Sequence, residues 1–349
     1  MAANDYAIVV GISDYPDLGG LDGPEYDARD FHAWLVGPGG VPPANAALIL
    51  SSTFKPPAFT SVLDAKPTMD AIQREFTRLD VIAGQNQAAG NGRVVGRRLY
   101  LYYSGHGFGP DLEEASILMA DASPVRTGLH VPGKPWANWF LRAGYFKEVV
   151  LLMDCCRESY PRAPLNVPSF INLTAPDVKT ANRFYGFSAG WGKLSRERQF
   201  NGRTHGVFTW TLLEGLRGAA ADPAGNVTAV SLGSYLYNNM RAFLDPADLG
   251  NDEVAKEPDL SYDANAGSGF VLAANVPVRT YPVTLAFSAA TAGKGVRVFN
   301  DKFAPVGQTV AGAAPWGLSL PRGLYLAVAD GGAQQPIDVS GTGAVNVTI

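Results

Sequence analysis

Val149-Val150-Leu151-Leu152-Met153-Asp154-Cys155-Cys156-Arg157-Glu158 is a continuous apolar run that breaks abruptly into polar residues. Unbroken rather than alternating hydrophobicity is the pattern of a strand buried on both faces of a parallel sheet. Three further runs read the same way: residues 7–12, 99–103 and, less clearly, 184–187. Between them stand segments with helical spacing. Residues 24–35 carry Tyr26, Phe31, Trp34 and Leu35 toward one side, and residues 68–79 carry Met69, Ile72, Phe76 and Leu79 at helical intervals. A shorter candidate, residues 136–141, holds the aromatic cluster Trp136, Trp139 and Phe140, which reads as core. Strand–helix alternation of this kind predicts an α/β three-layer sandwich with a mostly parallel central sheet. Two more helices are expected over residues 207–216 and 231–243, the second opened by Ser231 as N-cap.

The texture changes near Asn275. From Val276 to Ile349 helical periods give way to Gly, Ala, Thr and Val with frequent turn signals. Short strands are expected at residues 281–287, 295–299, 317–320, 324–328, 336–339 and 345–349. They suggest a small all-β sandwich of roughly seventy residues. The expected organisation is therefore a catalytic-sized domain over 1–275 and an accessory β domain over 276–349.

Composition excludes several classes. The 349 residues are 46% hydrophobic and 17% charged, which is ordinary for a globular chain. A net charge of −4 gives no basic surface to draw nucleic acid or anionic lipid. No apolar run approaches the ~20 residues that span a bilayer, and the first residues lack the basic and apolar regions of a signal peptide. Cys155 and Cys156 are the two cysteines and are adjacent, so they cannot staple distant parts of a fold. Adjacent thiols suit a reducing compartment, and a cytoplasmic location is expected.

A second strand end carries chemistry: Tyr102-Tyr103-Ser104-Gly105-His106-Gly107-Phe108-Gly109. A glycine-flanked histidine at the carboxyl end of a parallel strand lies on the edge where open α/β sheets bind ligands. Cys156 leaves the 149–153 strand on that same edge, which is the arrangement a thiol–imidazole pair needs. His106 and Cys156 are 50 residues apart, close to the separation found in caspases. Along an extended chain Asp154 and Cys156 share one face while Cys155 takes the other. Cys156 is thus the expected nucleophile and Cys155 a small packed hydrophobe.

With these motifs the chain resembles the caspase and metacaspase superfamily of cysteine peptidases, in its bacterial form with a C-terminal β domain. Residues 103–107 resemble its histidine motif, and Asp154-Cys155-Cys156-Arg157 its D-x-C nucleophile motif. The likeness continues through Gly206-Val207-Phe208-Thr209 and Leu212-Leu213-Glu214-Gly215-Leu216 and covers roughly residues 5–273. It implies a thioacyl-enzyme endopeptidase with His106 and Cys156 catalytic and an oxyanion hole at the N–H groups of Gly107 and Cys156. It also implies a specificity pocket for Arg or Lys formed by Asp27, Ser104 and Asp154. Aspartate-directed caspases place basic residues there instead, and Arg29, Arg196, Arg198 and Arg203 keep that alternative open. Two departures stand out. Pro24 occupies a position where many metacaspases have cysteine, and Asp111, Glu113, Glu114 and Asp121 are too scattered for a calcium loop. No metal or other cofactor is expected, with calcium activation left as an alternative that no ligand loop supports.

The implied partner is a protein substrate. Some bacterial members cut pore-forming proteins in defence, but no residue here selects such a target. Basic residues in expected loops (Arg157, Arg162, Lys179, Arg183 and those from Lys193 to Arg203) offer sites for self-processing. His32, His130 and His205 are expected to be structural, while Trp191 is a candidate for lining a substrate groove. Two rival readings stand: a non-catalytic scaffold acting through its β domain, and a different Cys–His acyl transferase.

Overall fold

The apolar runs become strands because each can bury both faces between layers of helix. The structure, a computed structural model, describes residues 4–54, 59–159, 166–171, 173–175, 181–263, 270–341 and 343–349. The chain divides into two compact units, Met1–Leu213 with Phe243–Phe270, and Glu214–Ala242 with Val271–Ile349.

The first unit is built on a six-stranded sheet in the order Asp259–Tyr262, Asn182–Phe187, Phe146–Asp154, Gly96–Ser104, Asp5–Gly11 and Ala46–Leu50. Every neighbouring pair is parallel except the first, which is antiparallel. On one face, helices Met69–Ala88 and Gly133–Arg142 bury Ile72, Phe76, Trp136 and Phe140 against Ile8, Leu99, Leu101 and Leu151. Each such side chain contributes roughly 1.5–3 kcal/mol when fully removed from water. On the other face lies helix Pro24–Val36, whose Phe31 stacks on Tyr102 at 4.7 Å. Helix Val207–Glu214 joins it there, with the Thr209 hydroxyl 2.6 Å from that of Tyr102. These are the three layers of an α/β sandwich.

Sheet register brings the two motifs level. Ser104 pairs with Asp154 across the two central strands. His106 and Cys156 therefore lie two residues beyond the same rung of the sheet.

Strands Ala46–Leu50 and Asp259–Tyr262 are absent from the sequence reading. Both are edge strands. Asp259–Tyr262 is half buried and includes polar residues, so it shows no apolar run, whereas Ala46–Leu50 is a five-residue apolar run that the reading passes over. Helix Ala229–Asn239 begins earlier than expected. Thr228 is its N-cap, and Ser231 sits at the third helical position as the partner in a capping box. The other early start is Gly133, and its cause is Glu114. One carboxylate oxygen of Glu114 accepts the N–H groups of Ala115, Gly133 and Lys134 at 3.0, 2.9 and 3.1 Å. Burial pushes this carboxyl up to about 7. Glu114→Ala is expected to cost about 2 kcal/mol of stability by orphaning these donors, as read by denaturant unfolding. An unchanged midpoint would remove Glu114 from this role.

In the second unit a three-stranded sheet (Trp316–Pro321, Thr280–Ala286, Val345–Thr348) and a four-stranded sheet (Pro305–Val310, Gly295–Phe299, Gly323–Ala329, Gln334–Val339) share one core. Val283 and Leu285 meet Val296, Val298, Ala327 and Ile337 there. Strand Pro305–Val310 is absent from the sequence reading too, since its side chains are largely exposed and show little apolar pattern. Helix Ala229–Asn239 belongs to this unit, where Arg322 reaches the Ser234 hydroxyl at 2.7 Å. Among the described residues no helix is long and apolar enough to cross a membrane.

Candidate active site

His106 is held by its surroundings on three sides. Gly105 precedes it with φ at 155°, and a Cβ there would fall 2.4 Å from the Tyr15 hydroxyl. Only glycine permits that approach. The Tyr15 oxygen accepts the His106 N–H at 3.0 Å, donates to the Leu118 carbonyl at 3.1 Å, and its ring meets the imidazole edge-on at 4.8 Å. The imidazole Nε2 lies 3.0 Å from the Gly19 carbonyl. A carbonyl can only accept, so this bond requires the proton on Nε2 and leaves Nδ1 with its lone pair. Burial holds the ring's pKa below its ordinary value, against the opposing pull of the Gly19 carbonyl.

The two cysteines part company where the neighbouring strand ends. Cys155 is 2% exposed and belongs to the same core as Tyr103 and Met153. A side chain on Gly107 would meet its sulfur at 2.6 Å, so position 107 has no room for anything larger. Cys156 is half-buried. Its sulfur accepts the Ser195 N–H at 3.4 Å and lies 3.8 Å from the Ser195 carbonyl. Burial pushes the Cys156 thiol up to about 11, with the Ser195 N–H opposing and Glu158 and Asp154 adding to the rise.

Arg157, next in sequence, is wholly buried. It reaches the carbonyls of Leu112 (2.8 Å), Glu114 (3.2 Å) and Ala189 (3.3 Å), and the carboxylate of Asp259 at 2.5 Å. It pins the loop carrying Cys156, and as a self-processing site it is corrected: no second active site can reach it in the folded chain. Arg162 and Lys179 lie outside the described residues, and Arg183 lies within strand Asn182–Phe187.

His106 and Cys156 line one cavity of about 440 Å³, together with Asp27, Ser104, Asp154 and Glu197. A larger cavity of about 750 Å³, bordered by Pro135, Asn138, Leu141 and Phe170, contains neither histidine nor cysteine. Size therefore does not identify the site, and chemistry does. Asp27 is fully buried. One of its oxygens lies 2.9 Å from His205 Nδ1, and the other accepts from Gly206 N–H at 2.9 Å and Ser104 Oγ at 3.3 Å. Burial raises Asp27 to about 7; the bond from His205 works against the rise, while Asp154 adds to it. Asp154 accepts Thr209 N–H at 3.0 Å, Thr209 Oγ1 at 2.7 Å and Ser195 Oγ at 2.8 Å, and burial raises its pKa too. The two acids face each other across Gly206, where a Cβ would sit 2.1 Å from Asp154 Oδ2 and 3.0 Å from Asp27 Oδ2. Glu197 adds a third carboxylate, bonded to the Asp22 and Gly23 N–H groups.

The arginines are otherwise engaged. Arg29 pairs with Glu25, Arg198 with Asp245, and Arg203 lies over the Tyr26 ring. Of the four, Arg196 alone lines the cavity, and its Nε bonds Asp248 at 3.1 Å. Trp191 lines a separate groove with Lys193 and donates to the Gly109 carbonyl at 3.3 Å. His32 and His130 bond the carbonyls of Ala46 and Thr127, away from this cavity. Among the described residues no cluster of His, Cys, Asp or Glu could hold a metal ion.

Ser195 and Glu197, which line the cavity, and His205, which bonds Asp27, are neighbours of the candidate residues that sequence reasoning misses. Ser195 precedes, and Glu197 opens, hairpin Glu197–Phe200/Arg203–Gly206, which carries no motif of its own. The Gly206–Thr209 segment is visible only as part of a family likeness.

The chain matches the family model for the caspase domain over residues 4–245. It is similar to the crystal structure of caspase-1 from Spodoptera frugiperda, at 10% identity and a TM-score of 0.43, over 74% of this chain and 86% of that one. A structure of pro-sf-caspase-1 is similar at 11% identity and a TM-score of 0.43, over 74% and 87%. No curated protein matches the chain.

Proposed function

Because the chain belongs to the caspase-domain family of peptidases, we propose that it is a cysteine endopeptidase that cuts protein substrates after Arg or Lys, with Cys156 as nucleophile and His106 as base. The observation that carries the specificity is the pair of buried carboxylates, Asp27 and Asp154, opposed across Gly206 in the cavity that holds His106 and Cys156. Two carboxylates sharing one dry site disfavour joint ionisation until a cation joins them. A guanidinium or ammonium supplies that charge and the matching donors.

The resting pair is neutral, a thiol beside an imidazole, because burial raises the thiol to about 11 and lowers the imidazole. Proton transfer then accompanies attack. His106 Nδ1 takes the Cys156 proton as Sγ bonds to the peptide carbonyl carbon. The N–H groups of Gly107 and Cys156 stabilise the oxyanion. His106 returns the proton to the leaving amine as the C–N bond breaks, leaving a thioester. Water, losing a proton to His106, hydrolyses it and restores the thiol.

Aspartate-directed cleavage is the weaker reading, since Arg196 is the single arginine of the four at the cavity and already serves Asp248. Matched fluorogenic peptides ending in Arg, Lys and Asp test the choice. The Arg and Lys peptides should turn over at least about 100-fold faster, given what an unmatched buried charge costs. Faster hydrolysis of the Asp peptide overturns the specificity. No hydrolysis of any peptide, with an inert Cys156, favours a scaffold.

A further inference from the structure

A buried histidine that the proposed reaction does not use bonds the pocket acid Asp27 without itself lining the cavity. His205 is 3% exposed and sits on strand Arg203–Gly206, immediately before the glycine that separates the two acids. Its Nδ1 lies 2.9 Å from Asp27 Oδ1, and its Nε2 lies 3.9 Å from Asp30 Oδ2, one helical turn further along Pro24–Val36. Trp210 and Tyr26 flank the ring at centroid distances of 5.6 and 6.3 Å. The imidazole is thus fixed in place, with a nitrogen aimed at one oxygen of the buried acid. The other Asp27 oxygen is the one that faces Ser104, Gly206 and, across the glycine, Asp154.

We propose that His205 is a positioning residue for Asp27: it fixes the carboxylate so that Oδ2 meets the cation of the substrate, and it sets the pH above which that cation is accepted. The inference rests on the Arg- or Lys-directed reading and extends it. The mechanism is electrostatic. A donor on Oδ1 stabilises the ionised carboxylate, opposing both burial and the charge of Asp154. Burial still leaves Asp27 raised to about 7, and the bond from His205 is the leading influence that opposes the rise. Without that donor, Asp27 holds its proton to higher pH and is neutral when the substrate arrives.

Other charged groups around the pair are accounted for. Asp27 and Asp30 come from the helix, Asp154 from the end of the central strand, and Glu197 and Arg198 from the hairpin strand paired with His205 and Gly206. Arg198 is tied to Asp245 and to the carbonyls of Phe243 and Leu244, and Arg203 lies over Tyr26. Tyr102 adds a buried hydroxyl bonded to Thr209. Among the described residues, Ser104 and His205 are therefore the side chains that donate to Asp27, and His205 alone serves Oδ1.

The test uses agmatine, which carries a guanidinium without a scissile bond, bound to the full chain bearing Cys156→Ala from about pH 5 to 9. Affinity should rise with pH through about 7 as Asp27 ionises. Adding His205→Ala should weaken binding about 10- to 100-fold at neutral pH and move the midpoint of the pH profile upward. His205→Asn places an amide N–H where Nδ1–H stood and should restore both affinity and midpoint. His205→Gln lacks a donor at that point and should behave like Ala, which keeps the comparison decisive even if the Ala variant does not fold. A purely structural histidine would move affinity or melting temperature without moving the midpoint. Normal agmatine binding with an unshifted midpoint in His205→Ala or His205→Gln overturns the role of His205 and leaves the cation pocket standing. Failure of agmatine to bind the parent protein overturns both.

Discussion

Cys156→Ala is expected to lower kcat/KM on an arginine peptide by at least about 10⁴-fold, whereas Cys155→Ala leaves it near the wild-type value. The two thiols are neighbours in sequence and opposites in environment. Cys155 borders the same cavity as Cys156, but its sulfur is packed into the core against Gly107. Cys156 lines the cavity shared with His106. Alkylation offers a check that is independent of turnover. With the thiol raised to about 11, only about one molecule in 10⁴ carries a thiolate at neutral pH. Iodoacetamide should therefore label Cys156 slowly at pH 7 and much faster as pH rises, and it should spare Cys155. Slow labelling together with brisk catalysis is the signature of a base that acts during attack. Rapid labelling at neutral pH would instead mean a resting thiolate–imidazolium pair. Full activity in Cys156→Ala, or its loss only in Cys155→Ala, would remove Cys156 as nucleophile.

The different environments of the two cysteines, Cys155 buried and Cys156 half-buried, were legible because strand alternation persists past the last residue of Phe146–Asp154. The central strands were legible because burial on both faces leaves a continuous apolar run, and register then carries residues 106 and 156 to one edge. Edge strand Asp259–Tyr262 lacked that signal, since a half-exposed strand tolerates polar residues, whereas Ala46–Leu50 carries it in only five residues and is passed over. The acids follow the same logic. Asp27 reads as a first-turn acid that favours the helix N-terminus, and nothing local announces that it is wholly buried. Its partners His205 and Gly206 are some 180 residues away and meet it only because a hairpin returns over the sheet. Ser195 is hidden for the same reason: its hydroxyl serves Asp154 and its N–H the Cys156 sulfur, through contacts across about 40 residues. Glu114 reads as one of several scattered acids, yet it is the anchor of a helix that starts nineteen residues later. Local pattern carries elements well and long-range polar pairing poorly.

The second large effect concerns the acids. Asp27→Asn and Asp154→Asn should each lower kcat/KM for Arg and Lys peptides by about 30- to 5,000-fold, the range for removing one partner of a buried charge pair. Asp154 also accepts the N–H and hydroxyl of Thr209 in helix Val207–Glu214, so Asp154→Asn should lose stability as well. Asp27→Asn separates the two consequences. Its folded pKa of about 7 exceeds the ordinary 3.8, so between those values the folded chain binds a proton that the unfolded chain has released. Stability from this group is thus greatest at low pH, falls as pH rises from about 4 to 7, and levels off above that window. Glu114, raised from 4.5 to about 7, slopes the same way. Cation binding has the opposite sign, because only the ionised Asp27 attracts the substrate. Turnover of the Arg peptide should therefore climb through about pH 7 while the melting temperature of the free enzyme declines below it. Asp27→Asn should flatten the first trend and shrink the second, leaving the share of Glu114, Asp154 and the other acids that burial raises. If both trends persist unchanged in Asp27→Asn, the proton being read resides elsewhere, and Asp27 has no part in receiving the substrate.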